Sequence, residues 1–308
     1  MNDVKKVTVL FGGWSPEREV SINSGRCVAS VLREMGYDVS EIDVKKDLAY
    51  ITKALYDAKP DFIFNVLHGT GGEDGVIQGV LDIFGVPYSN SGVLGSAICF
   101  DKCICKSVVA SRGVRVVRGA EITAKQIASI NTASGVRMEY PFILKPAANG
   151  SSVGTFLVSS ENDLRTLQTR EWIFGEKVML EEYIKGREFT VLVIDGKALG
   201  AIEISFKSNI FDFKAKYSEG GARHIFDYEL EAQTNDEMLH MAELAFKSCG
   251  CRGSARVDFR YDGEKMYFLE INTQPGVTDV SLVPDIARCK GMSFAELLEL
   301  EMVMAKEK

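Results

Sequence analysis

Apolar and polar positions follow two rhythms along this chain, and the rhythm switches many times. VTVLF at 7–11 is a short β-branched run that reads as a buried strand. Over 16–35, Val20, Cys27, Val28, Val31, Leu32 and Met35 fall at helical spacing. Ser15 is the expected N-cap, Pro16 the first helical residue and Gly36 the stop. DVSEIDV and FIFNVL read as strands, ITKALYDA and IQGVLDIFG as helices, and VPYSN as a further short strand. Such alternation predicts a parallel sheet with helices on its faces. A helical pattern then runs from Leu94 to Gly113.

Beyond that point the strands come in pairs. YPFILKPA and GTFLVS flank a glycine-rich turn, which predicts antiparallel pairing. ENDLRTLQ reads as a helix capped by Ser159 or Ser160, and VMLEEYI as another strand. REFTVLVIDGKALGAIEI is a hairpin with an Asp-Gly turn. ARVDFRYDGEKMYFLEIN is a second, turning at Asp262-Gly263. NDEMLHMAELAFKSCG is a helix between them, and 292–305 is a terminal amphipathic helix. Residues 205–228 have the polar, glycine-containing composition of a mobile loop. There is no internal repeat. The expected organisation is three α/β units, over 1–95, 96–185 and 186–308.

With 308 residues, 46% of them hydrophobic, the chain can bury a core in each unit. A net charge of -7, a pI near 5.3 and the absence of any five-residue basic run argue against nucleic acid as a partner. No apolar run reaches the ~18 residues of a membrane span. The N-terminus reads as a first strand rather than a signal peptide, so a cytoplasmic location is expected. The seven cysteines read as buried, reduced thiols. A zinc reading of Cys99, Cys103 and Cys105 needs a second ligand pair, for which Cys249 and Cys251 are the offer.

Four stretches carry candidate chemistry. In ARVDFRY…FLEIN, Glu270 and Asn272 are two apart on a strand and share a face, which Asp258 can reach from the facing strand. Two carboxylates and an amide oxygen suit Mg²⁺ rather than zinc. Arg256 points the same way, either to meet developing negative charge or to form an ion pair with Glu270. In ILKPAANGSSVGT, Lys145 ends a strand, and the Gly/Ser turn after it offers N–H groups and hydroxyls to phosphate without being a Walker A loop. In VMLEEYIKGREFTV, Glu181, Glu182, Tyr183 and Ile184 alternate as a strand that reads an adenine would. In NVLHGTGGEDGVIQG, His68 and Glu73 lie at the carboxyl end of a parallel strand, where ligands of open α/β sheets bind. The first βα turn, FGGWSPEREV, lacks both the phosphate-loop lysine and G-x-G-x-x-G, which argues against a dinucleotide-binding oxidoreductase. It delivers Glu17 and Glu19 instead.

Taken in order, GGWSPEREVSINSG, LHGTGGEDGVIQGVLDIFGVPYSNSGVLGSAICFDK, FILKPAANGSSVG, EEYIKGREFTV and RVDF…EINTQPGVTDVSLVP closely resemble the D-alanine–D-alanine ligase family of the ATP-grasp superfamily, over almost the whole chain. The resemblance implies a three-domain ATP-grasp fold of α/β class with an N-terminal parallel-sheet, Rossmann-like domain. It implies ATP-dependent joining of two D-alanines through a D-alanyl phosphate, for peptidoglycan precursors. ATP and two Mg²⁺ ions, or Mn²⁺ in their place, are implied as co-substrate and cofactors. By motif, Asp258, Glu270 and Asn272 hold the metals, and Lys102, Lys145, Ser151 and Ser152 hold the phosphates. Glu181 and Glu188 face the nucleoside, and Glu182, Tyr183 and Ile184 line the adenine slot. Arg256 and the Gly276 N–H stabilise the oxyanion. Glu17 receives the first D-alanine's ammonium, with Ser151 and Tyr217 as partners and His68 nearby. Ser281 and Leu282 position the second D-alanine's carboxylate, while Lys216 and Tyr217 mark the dipeptide-making form. Trp14, Ala148-Asn149, Val277, Asp279 and Val280 depart from the family's usual residues. The family also implies a homodimer built on N-terminal helices. The nearest alternatives are another ATP-grasp carboxylate–amine ligase, including one that takes D-lactate or D-serine, and a nucleotide-binding regulator without catalysis.

Overall fold

The computed structural model describes residues 4–130, 138–150, 153–206, 221–278 and 281–306. Strand β1 (Lys6–Gly12) lies between β2 (Asp38–Val44) and β3 (Phe62–Asn65) in a three-stranded parallel sheet. Helices α1 (Arg18–Glu34), α2 (Leu48–Ala58) and α3 (Val76–Phe84) cover it. The two-residue period of β1 sends Val7 and Val9 to Val28, Ala29 and Leu32 of α1. Leu10 goes to the other face, with Ile51 and Leu55 of α2 and Ile77 and Leu81 of α3. Both faces are therefore buried, which is why the strand reads as an unbroken apolar run.

Two details differ from the sequence pattern here. Helix α1 begins at Arg18, and its N-cap position is Glu17 rather than Ser15. The Ser15 hydroxyl instead donates to the His68 carbonyl at 2.6 Å and accepts the Glu17 N–H at 3.1 Å, so a tertiary bond replaces the local cap. VPYSN forms a single parallel bridge, Ile63 to Tyr88, and no longer strand.

The helix expected from 94 to 113 is two helices, α4 (Val93–Phe100) and α5 (Lys102–Ser111). Asp101 separates them. Its backbone is extended, and its carboxylate accepts the N–H groups of Cys103 and Ile104, capping α5. The Lys102 N–H then donates to the Ala147 carbonyl at 2.8 Å, which ties this corner to the next sheet.

That sheet is antiparallel and contains β4 (Gly119–Thr123), β5 (Phe142–Pro146), β6 (Phe156–Val158) and β7 (Lys177–Glu182), in the order β4-β7-β5-β6. Helices α6 (Ala124–Ile127) and α7 (Glu161–Gln168) accompany it. β4 and α6 were not visible as pattern, because GAEIT has only one buried side chain, Ile122.

The third sheet is also antiparallel, with β8 (Arg187–Ile194), β9 (Lys197–Phe206), β10 (Ala222–Ile225), β11 (Ser254–Tyr261) and β12 (Met266–Asn272) in the order β10-β9-β8-β11-β12. The hairpin turn at Asp195-Gly196 has φ of 45° and 78°, as an Asp-Gly turn between twisted strands requires. β10 falls inside the stretch expected to be loop, where it pairs with the end of β9. Helix α8 (Ala232–Ser248) buries Met238, Met241, Ala242 and Phe246 against this sheet. Two helices follow, α9 (Leu282–Cys289), which the pattern did not suggest, and α10 (Phe294–Lys306). Leu298 and Met302 of α10 complete the core of the N-terminal sheet, so the last helix closes onto the first strand's domain. Among the described residues no helix is long and apolar enough to cross a membrane.

Candidate active site

The polar face of β11 organises the site. Arg256, Asp258 and Arg260 alternate with Ala255, Val257 and Phe259, which are in the core. Strand pairing sets Asp258 opposite Thr190 on β8 and Glu270 on β12, sets Arg260 opposite Glu188, and sets Arg256 opposite Asn272. The Thr190 hydroxyl donates to Asp258 at 2.6 Å. Arg256 holds both oxygens of Asp258 at 2.9 Å, so its ion pair is with Asp258 and not with Glu270 as one sequence reading had it. The Asn272 amide lies 3.3 Å from Asp258, and Arg260 reaches Glu188 at 2.6 Å and the Ile184 carbonyl at 2.9 Å. Each carboxylate oxygen carries two lone pairs, so Asp258 retains coordinating capacity. Asp258, Glu270 and Asn272 are an all-oxygen set on one sheet face, and they fit a hard divalent cation.

Two lysines enter from the middle unit. Lys102 Nζ lies 2.6 Å from the Asn149 carbonyl and 3.5 Å from Glu270. Lys145, on β5, meets Glu181 of β7 at 2.5 Å, and Lys106 of α5 holds the other oxygen of Glu181. Glu181, assigned by resemblance to the nucleoside, thus sits between two buried ammonium groups. Burial by itself raises its carboxyl, but Lys106 and Lys145 together outweigh that and bring it down to about 2. Burial and repulsion by Lys145 push Lys106 down. Lys145 feels the same burial, but Glu181, Glu270 and Glu188 together push it up.

A carboxyl held below its unfolded value stabilises the fold above about pH 4.5, and that stabilisation is lost as pH falls through about 2. The loss is expected to be on the order of 3 kcal/mol, to be read by urea unfolding from ~pH 6 downward. An unfolding free energy that stays flat over that range would contradict it.

Most of these residues line one open cleft between the middle and C-terminal sheets. Its walls include Lys102, Lys145, Glu181 to Ile184, Glu188, Asp258 and Glu270. Asn272 lies in an adjoining cavity with Glu73, Asn149, Gly150 and Glu270. Lys106, Arg260 and Thr190 were missed by sequence reasoning. Two of them carried a signal: Lys106 is four residues after Lys102 on a helix, and Arg260 two after Asp258 on a strand.

The first βα turn does not present its N–H groups to a ligand. The Gly12 N–H donates to the Ser21 hydroxyl at 2.9 Å and that of Gly13 to the Val44 carbonyl at 3.0 Å. Arg18 grips Asp43 with two bonds and braces the Gly13 carbonyl. What the turn delivers is Glu17, buried, with its carboxylate against Gly69 and Gly150: a Cβ added to Gly150 would lie 2.1 Å from Glu17 Oε2. His68 is buried beside it in the fold, 3.3 Å from Ser24 Oγ and 4.0 Å from Glu73. Trp14, a departure from the family pattern, packs against Gly71, where a Cβ would meet its ring at 2.1 Å. Gly276 lies beside Ser281, whose hydroxyl bonds Thr278 through its N–H at 3.0 Å and its hydroxyl at 2.8 Å; Leu282 opens α9. Ser151, Ser152, Lys216, Tyr217, Asp279 and Val280 lie outside the described residues.

A lysine-bearing antiparallel sheet facing a second one with a carboxylate–amide triad, behind an N-terminal parallel sheet, is the architecture of an ATP-grasp ligase. Comparison with known proteins narrows the class. Residues 108–303 match the family described as D-ala D-ala ligase C-terminus, and 53–91 the one described as D-ala D-ala ligase N-terminus. The chain belongs to the D-alanine–D-alanine ligase family. The D-alanine–D-alanine ligase of Azorhizobium caulinodans is 44% identical over 301 residues, covering 96% of each chain. The crystal structure of the Bacillus anthracis D-alanine–D-alanine ligase complexed with ATP superposes with a TM-score of 0.84 at 28% identity, covering 98% of both chains. The VanG D-Ala:D-Ser ligase of Enterococcus faecalis superposes at 0.82 with 26% identity, covering 98% of this chain and all of that one.

Proposed function

We propose that this chain joins two D-alanines with ATP, through a D-alanyl phosphate, to supply D-alanyl-D-alanine for peptidoglycan precursors in the cytoplasm. The observation that carries this reading is the meeting in one cleft of Lys102 and Lys145 with Asp258 and Glu270, drawn from separate segments of the chain. Lys102 and Lys145, with Ser151 and Ser152, bind the phosphates. Glu182, Tyr183 and Ile184 form the adenine slot and Glu188 takes the ribose, while Glu181 acts chiefly by holding Lys145. Asp258, Glu270 and Asn272 hold Mg²⁺ or Mn²⁺, which neutralises phosphate charge when bound.

Glu17, with His68, Ser151 and Tyr217, orients the first D-alanine by its ammonium, so that its carboxylate faces the phosphate site. Arg256 and the Gly276 N–H stabilise the oxyanion that forms when the second amine attacks. Ser281 and Leu282 place the second substrate's carboxylate, and the Lys216–Tyr217 segment excludes water from the acyl phosphate. The three units, bounded near 95 and 185, would each supply one part of this arrangement. Exposed Val76, Ile83, Val93 and Leu94 on α3 and α4 support a homodimer through this N-terminal face.

Phosphate release from ATP and Mg²⁺ should depend on D-alanine, with D-alanyl-D-alanine identified by mass, and should fail with L-alanine. A product containing D-serine or D-lactate in preference would move the chain to a different second substrate. No release with any of them would overturn the ligase reading. Gly150→Ala should raise KM for D-alanine roughly tenfold or more, about 1.4 kcal/mol, because the new methyl displaces the Glu17 carboxylate. ATP affinity measured without D-alanine should change by less than the KM for D-alanine does, and an unaltered KM would remove Glu17 from the substrate site.

A further inference from the structure

Four of the seven cysteines, from three separate segments, converge at the junction of α4, α5 and the end of α8. Sγ of Cys99, Cys105 and Cys249 all lie within 4.8 Å of one another. Cys251 Sγ is 3.5 Å from that of Cys99, and Cys105 Sγ is 3.9 Å from that of Cys249. Neither Cys103 nor Cys251 lies within that distance of all three, so Cys251 touches the group at Cys99. We propose that Cys99, Cys105 and Cys249, with the Cys251 side chain turning in from Cys99 as fourth ligand, form a tetrahedral thiolate site for a zinc-type ion, separate from the Asp258–Glu270–Asn272 set.

Geometry favours this over the alternatives. Sulfurs held at ~2.3 Å around a tetrahedral ion are separated by about 3.8 Å. Two of the pairs, Cys99–Cys251 at 3.5 Å and Cys105–Cys249 at 3.9 Å, bracket that spacing. A disulfide needs ~2.05 Å, so both pairs would have to close by well over 1 Å. Plain apolar packing explains one or two buried thiols, but it supplies no reason for four to seek each other from distant parts of the chain. Soft, polarizable sulfur is also the donor that separates zinc from the hard ions expected at the carboxylates.

The site has a route for the ion and a counter-field for its charge. Cys251 is partly exposed, whereas Cys99, Cys105 and Cys249 are buried. Cys105 lies in the first turns of α5, near the positive end of that helix. Binding replaces four S–H protons by one divalent ion and releases the protons, with no change of oxidation state. Cys99 and Cys105 flank Asp101 and Lys102, so the ion would fasten the corner that carries Lys102 to the third sheet's helix α8.

The test uses the full-length protein purified under reducing conditions without chelator. Elemental mass spectrometry should find about one zinc per chain. Cobalt(II) added to the reduced, metal-free protein should give the intense charge-transfer and ligand-field bands of four thiolates around a tetrahedral ion, bands that Mg²⁺ cannot give. The Cys249→Ser/Cys251→Ser protein should lose at least tenfold in zinc content. If that variant does not fold, the cobalt spectrum of the unaltered chain decides the question. Absence of both zinc and the cobalt bands overturns the proposal. So does zinc retained in full by the variant, or a metal-free protein whose alkylation before reduction leaves these cysteines unlabelled as disulfides.

Discussion

Glu270→Gln is expected to cut turnover by ~10³-fold or more while leaving the fold intact. The side chain is half-buried, opposite Asp258 across the β11–β12 ladder and 3.5 Å from Lys102. Glutamine keeps its shape and one oxygen donor, so packing is conserved and stability should change by no more than ~1 kcal/mol. What is lost is one of two formal negative charges on the triad that would hold the divalent ion. Phosphate release with saturating D-alanine and ATP, alongside a thermal melt, separates the two effects. Near-normal turnover in a folded variant would remove Glu270 from the metal set.

Glu181→Gln should act in the opposite sense, on stability before chemistry. It leaves Lys106 and Lys145 buried near each other with no carboxylate between them. Stranding buried charge in this way costs about 3–5 kcal/mol. Urea unfolding at neutral pH should show the loss. Adding Lys106→Met to Glu181→Gln should recover part of it, because one of the two stranded ammonium groups is then replaced by an apolar chain of similar length. A variant as stable as the parent, or no recovery in the double variant, would mean that Glu181 does not neutralise the lysine pair.

Much of this architecture was legible because burial and backbone period leave marks in a linear pattern. The apolar run of β1, the 3.6-residue rhythm of α1 and the Asp-Gly turns were readable because each depends on neighbours within a few residues. The same holds for the alternation Arg256, Asp258 and Glu270, Asn272. The elements that escaped had no such local cause. α4 and α5 share one helical pattern, and only the Asp101 cap and the bond from Lys102 to Ala147 divide them. β10 is polar and is a strand because the end of β9 offers it an edge. Lys106 looks like a surface residue until β7 places Glu181 over it.

By itself, then, the sequence determined which residues could carry the chemistry: the lysines, the carboxylates and amide of the third unit, and the acid after the first turn. Their ordered motifs also determined the family. The tertiary structure decided which of them meet. β12 shows the difference most sharply. Met266 and Phe268 point into the core, and strict alternation would send Glu270 and Asn272 after them. A register shift between Asp258 and Phe259 leaves Leu269 as the extra residue, returns Ile271 to the core, and turns Glu270 and Asn272 to the site. A bulge reverses the facing of every residue beyond it, and pairing with a partner strand, which no linear pattern contains, fixes where it falls.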